Sequence, residues 1–212
     1  MVKPIAAEKI TLYDLQEQFN LNLVEDPAFF SEWQQDLPIL SNDEKERLQR
    51  VQAVMANLEQ RSVLESTVKL ATLAPLLDLA GLYLQPFVVW EEEAFRTKTS
   101  DANAAANARF DVLGFNHKIW VLAIETNHAE FSIEMGISQL LAYWLKVARS
   151  FPTLYSLVTN GKDFVFLKLV FRNVPCYARS KQFVLGQDRD LEEVLQIMKH
   201  LAELVAQSEN QN

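Results

Sequence analysis

The chain has 212 residues, 49% of them hydrophobic, one cysteine and a formal net charge of −8. That length suits one domain with extensions, or a domain and a half, and the apolar fraction supports a sizeable core. The lone Cys176, which reads as a small buried hydrophobe, excludes a disulfide framework and a thiolate metal cluster, and the negative balance argues against unspecific nucleic-acid binding.

Residues 9–37 suggest short helices punctuated by Pro27 and Pro38. Ser41 and Glu44 form a capping box that opens a charged helix to about Leu58. Ser62 and Glu65 form a second box, opening a helix with an apolar stripe of Leu64, Val68, Ala71, Leu73 and Leu77, which Pro75 should kink or end. The segment 70–87 is apolar, but Pro75, Asp78 and Gln85 interrupt it, so it makes a poor membrane span. The start of the chain lacks the long apolar stretch of a signal peptide. The expectation is a soluble, cytoplasmic protein with no membrane role.

Phe87-Val88-Val89-Trp90 reads as a strand, followed by the acids Glu91 to Glu93. The small, polar run TKTSDANAAAN (97–107) reads as a loop. Phe110 to Phe115 and Ile119 to Ile124 read as strands around a turn at Asn116-His117; the second is apolar on both faces, as a central, covered strand would be. A helix from about Ser132 to Arg149 turns Ile133, Ile137, Leu140, Leu141, Trp144 and Ala148 inward. Two further strands are joined at Asn160-Gly161, and an amphipathic helix spans Leu191 to Val205. There are no internal repeats. The order of elements predicts a mixed α/β (α+β) fold with one sheet flanked by helices: a helical N-terminal extension over 1–60, a core domain over 61–207 and a frayed tail over 208–212.

The charge is unevenly spread. Residues 1–95 hold 16 acids and 7 bases, whereas residues 136–187 hold one acid, Asp163, against seven bases. The second region reads either as a solvated face or as a surface that meets phosphates through Lys146, Lys162 and Lys168. The three histidines are scattered, and five glycines leave no room for a phosphate loop or dinucleotide turn.

Asp111 and Glu125 stand among apolar residues, where a lone carboxylate is costly to desolvate. Both lie at strand ends remote from the turn, so antiparallel pairing brings them to one edge, where two carboxylates suit a hard divalent cation. A strict two-residue turn would pair Asp111 with Leu122 and send Glu125 to the other face; a three-residue loop or a bulge is required for both to share one. Asp111 as a merely structural carboxylate beside Arg109 is the competing reading.

The pattern of Asp111, then Glu125-Thr126-Asn127, then a helix bearing Gln139 and Tyr143, resembles the PD-(D/E)XK nuclease superfamily, in the flavour found in the motor subunits of type I restriction enzymes and related stand-alone proteins. The order of helix, three-strand meander, helix and strand matches that restriction-endonuclease-like core over roughly residues 62–172. The resemblance implies Mg²⁺ or Mn²⁺ held by Asp111 and Glu125, with the Thr126 carbonyl as a further ligand. Glu65 would join from the first helix, a role that competes with its capping of Ser62. It also implies that Gln139 lines the site, with Tyr143 one turn on, and that DNA is the substrate. Asn127 departs from the family, which places a lysine there to orient water and stabilise negative charge; Lys118, Lys146 and Lys168 are candidates for a migrated lysine. Three readings result: a metal-dependent nuclease; a non-catalytic module that binds nucleic acid, a protein partner or a second copy of itself; or an ordinary structural domain with no nucleic-acid role.

Overall fold

The computed structural model of the chain describes residues 10–59, 65–91, 109–115, 119–125, 132–147 and 151–209. The helices are Leu12–Phe19 (α1), Asn42–Glu59 (α2), Glu65–Leu79 (α3), Ile133–Val147 (α4) and Asp190–Glu209 (α5), with a 3-10 segment at Pro27–Trp33. The strands are Asn22–Leu23 (β1), Val89–Glu91 (β2), Arg109–Phe115 (β3), Ile119–Glu125 (β4), Thr153–Thr159 (β5), Asp163–Val170 (β6), Cys176–Arg179 (β7) and Phe183–Val184 (β8). They form one mixed sheet in the order β1-β7-β6-β5-β4-β3-β2, with β8 beside β6. The pairs β4/β5 and β1/β7 are parallel and the other pairs antiparallel.

Alternation along the central strands creates two cores. In β5 and β6, Leu154, Val158, Val165, Leu167 and Leu169 turn to one face, where Ile137, Leu140, Leu141 and Trp144 of α4 and Leu15 of α1 cover them. Leu157, Phe164 and Phe166 turn to the other face, beneath α2, α3, α5 and the 3-10 segment. Strands buried on both faces must be nearly continuously apolar, and "LYSLVT" and "FVFLKLV" are. Phe183 meets Phe166 and Trp33 edge-on at 6.0 and 6.2 Å, which ties β8 and the 3-10 segment to β6.

Local signals act as expected at several ends. Ser41 N–H donates to Glu44 Oε2 at 2.7 Å, and Glu44 N–H donates to Ser41 Oγ at 3.2 Å, closing the capping box that starts α2. Asn160 Oδ1 accepts from the N–H groups of Lys162 and Asp163, and Gly161 takes a φ of +88°, which turns β5 into β6. Pro75 does not end α3. The helix continues through it to Leu79, because Leu73, Leu76 and Leu77 on its buried stripe hold it against the core. A proline removes one backbone hydrogen bond, and burial of that stripe outweighs the loss.

Residues between 10 and 51 join the sheet and both cores. β1 completes one end of the sheet, Ile10, Leu15 and Leu21 enter one core, and Phe30, Leu40, Leu48 and Val51 enter the other. A further tie is polar. Lys168, on β6, forms an ion pair with Glu32 of the 3-10 segment and donates to the Phe29 carbonyl at 2.7 Å. Its Nζ lies over the rings of Phe29 and Tyr155, at 5.5 and 5.8 Å from their centroids. Tyr155 donates to the same Glu32 oxygen at 2.8 Å. Burial, with the charge and hydrogen bond of Glu32, pushes the Tyr155 phenol far above its ordinary range, so it stays a donor.

Removing one member of a buried pair strands the other. Lys168→Met should destabilise the protein by about 3–5 kcal/mol, and the double variant Lys168→Met/Glu32→Leu by clearly less than the two single changes together. Urea unfolding of the four proteins checks this; strict additivity would show that the two side chains do not interact.

A second outcome concerns acid. Hydrogen bonds from the Thr11 hydroxyl and N–H hold Asp14 below its ordinary value of 3.8. Burial pushes Glu44 up, but hydrogen bonds from Lys199 and Ser41 and the charge of Lys199 outweigh it and hold Glu44 below 4.5. A carboxylate with a depressed folded pKa contributes stability above its unfolded value and loses it as pH falls through the folded one. Unfolding midpoints should therefore hold from neutral pH to about pH 5 and decline below about pH 4, with Ser41→Ala flattening the decline.

Candidate functional site

The open end of the β3–β4 hairpin carries the two acids. The pairs run Arg109↔Glu125, Asp111↔Ala123 and Phe115↔Ile119, so three residues, 116–118, separate the last pair. Directly opposed residues share a face and so do residues two apart. Positions 109, 111, 123 and 125 therefore belong to one face, as the three-residue connection requires. Ile119 has the same parity and is buried in the core under α3 and α5, which identifies the face.

That end of the hairpin runs past its neighbours among the described residues. β2 pairs with β3 only at Leu113 to Phe115, and β5 pairs with β4 only at Ile119 to Ala123. Arg109, Phe110, Asp111, Ile124 and Glu125 therefore meet only each other's strand in the ladder. Thr126 and Asn127, the two residues after Glu125, lie outside the described residues, as do Ser62, Lys118 and His128.

The other expected site residues are dispersed. Glu65 is the first residue of α3. Gln139 lies on α4, which covers the face opposite to that of positions 111 and 125; it is 6% exposed and its Nε2 has no hydrogen-bond partner. Tyr143, one turn on, is half-buried against the same core. The register thus brings Asp111 and Glu125 to one face and does not bring Gln139 to it.

Three of the seven bases of the basic region, Lys168, Arg179 and Lys181, are ion-paired in the fold. Lys168 is mostly buried against Glu32 and does not contribute to an open basic surface. Arg179 pairs with Glu134 at 2.7 Å, and Lys181 with Asp190 at 3.3 Å and Glu193 at 2.9 Å. Lys146, at the end of α4, and Lys162, in the β5–β6 turn, are exposed, as is Arg172. Even Asp163 is engaged, accepting from Asn160 and Gln182. The sequence shows none of these partners because Glu32, Glu134, Asp190 and Glu193 approach from other elements.

Arg109 is not among the site residues that the sequence singles out, and its place opposite Glu125 comes from the register alone. Cys176 is half-buried at the start of β7. Among the described residues there is no group of three or more histidine, cysteine or acidic side chains arranged to hold a metal, and no helix long and apolar enough to cross a membrane. No family model, no curated protein and no solved structure matches the chain.

Proposed function

We propose that the chain is a restriction-endonuclease-like domain that uses Asp111 and Glu125 to hold a divalent cation and engages the phosphodiester backbone of DNA. The observation that supports this reading is the register of the β3–β4 hairpin, which gives both acids one face at the open end of the hairpin. The order of elements supports it as well: helix α3, the antiparallel meander β2–β3–β4, helix α4, then β5 parallel to β4.

The donors suit the ion. Positions 111 and 125 are diagonal neighbours, roughly 7–8 Å apart, a span that two carboxylates on one face close around a single hard cation with oxygen ligands at about 2.0–2.6 Å. When bound, such an ion activates water and neutralises charge on a phosphodiester. The remaining work falls to the chain. Asp111 and Glu125 would hold the ion, and an asparagine at position 127 can donate a hydrogen bond but brings no charge where the resembling nucleases carry lysine. Gln139, on the opposite face, has no part in this arrangement.

Asn127 favours a second reading, a domain that binds nucleic acid or a protein without cleaving. Cleavage and metal binding separate the two. Purified protein should gain thermal stability with Mn²⁺, on the order of 2–3 kcal/mol at a hundred times the dissociation constant. Asp111→Asn and Glu125→Gln should each abolish that gain. Under the nuclease reading, Mg²⁺ or Mn²⁺ supports DNA cleavage, and Asn127→Lys raises it about 10²-fold. Metal binding without cleavage in either protein identifies the non-catalytic domain. No response to Mn²⁺ at all defeats the metal site.

A further inference from the structure

One end of the sheet is the short strand β1, and among the described residues no strand covers its outer edge. The N–H groups of Asn22 and Val24 donate to the carbonyls of Pro175 and Tyr177, at 3.0 and 2.8 Å. The N–H and C=O of Leu23, between them, therefore point away from β7. We propose that this edge takes up an extended segment of a partner protein, which pairs with Leu23, sends neighbouring apolar side chains into a cavity on each face of the sheet, and sets a lysine or arginine against Glu25. The inference goes beyond the metal reading and does not depend on it.

Shape supports the assignment first. A cavity of about 550 Å³ lies beside β1, lined by Leu12, Tyr13, Leu21 and Tyr177 among others. A second, of about 320 Å³, is lined by Pro27, Phe30, Trp33 and Ala178 among others. Leu21 and Tyr177 belong to the core under α1 and α4, and Phe30 and Ala178 to the core opposite, so the two cavities open on opposite faces. Leu23 borders both and remains 48% exposed. Consecutive residues of a strand turn to opposite faces, so an added strand offers one side chain to each cavity. Main-chain pairing gives such an edge its affinity for an extended peptide, and pockets for alternate side chains give it specificity.

Charge names the occupant. Residues 10–44 hold eight acids and no lysine, arginine or histidine. Glu32 and Glu44 are taken up by Lys168 and Lys199. Glu25, in contrast, is exposed and borders both cavities, and Asp26 borders the smaller one. The base that lines the smaller cavity, Arg179, is paired with Glu134. The groove is therefore negative, and it favours a segment whose apolar residues are accompanied by lysine or arginine.

The competing role is protection. Short length and flanking charge also keep an edge strand from pairing with other sheets. That role needs no cavity on either face, and it predicts different behaviour toward peptides.

The test uses the full chain. A phage-displayed library of random peptides is selected on it, and a selected peptide, labelled with fluorescein, is titrated by anisotropy. The selected sequences should share two adjacent apolar residues flanked by lysine or arginine. Leu23→Pro removes the outward N–H and leaves the ladder donors of Asn22 and Val24 in place, a change that an edge strand tolerates. It should weaken peptide binding about tenfold, and Leu23→Ala, which keeps that N–H, should weaken it less. Glu25→Lys, at an exposed side chain, should weaken binding about fivefold. Acidic selected sequences, the absence of any selected binder, or wild-type affinity in both Leu23→Pro and Glu25→Lys overturn the proposal. Should Leu23→Pro fail to fold, Glu25→Lys carries the test, and wild-type affinity in that variant overturns the proposal. A dimer in sedimentation velocity that Leu23→Pro or Glu25→Lys dissociates gives the edge to a second copy of the chain and overturns it as well. The titrations contain no metal, so their failure does not bear on Asp111 and Glu125.

Discussion

The ion pair between Lys168 and Glu32 decides how this chain is put together. A buried ammonium and a buried carboxylate are each costly to withdraw from water, and they persist only where geometry and further hydrogen bonds compensate. Here the Phe29 carbonyl, the Tyr155 hydroxyl and two aromatic faces do so. The arrangement favours one docking position for the 3-10 segment, since apolar contacts slide more readily than directional polar ones, although Glu32 Oε2 itself is buried without a hydrogen-bond partner. That position in turn lets Phe30 and Leu40 close one core and leads the preceding strand β1 to pair with β7.

The second constraint is one of parity. Adding a single residue to the connection between β3 and β4 moves every side chain of one strand to the other face relative to its partner. With three residues between Phe115 and Ile119, both acids and Arg109 fall on the α3/α5 face. The chemistry suggested for the hairpin thus depends on a loop length, not on any catalytic side chain. The acids also stand at the end of the ladder that neither β2 nor β5 reaches among the described residues.

How much of this is readable in the sequence depends on the range of each interaction. The Ser41–Glu44 box, the apolar stripe of α4, the doubly covered strands and the Asn160-Gly161 turn are local patterns, and each appears in the fold. β1, with two residues, and β7, with four, are too short to show a period, and both form because a neighbour's ladder is waiting. Pro75 does not end α3, because propensity is local whereas the burial of Leu73, Leu76 and Leu77 is not. The ion pairs of Lys168 and Arg179 are hidden for the same reason, Glu32 and Glu134 coming from elements far along the chain. In the candidate site, the pair of acids is visible in the sequence; the face they share, and Arg109 beside them, require the register.

The tie between Glu32 and Lys168 spans 136 residues, and synthesis runs from one end. At about 5–20 residues per second, the ribosome delivers Glu32 and Phe30 on the order of ten seconds before the strand that receives them. Until β6 and β7 are made, Glu32 has no Lys168 to pair with and β1 no β7, so this end of the sheet can close only once the last third of the chain is present.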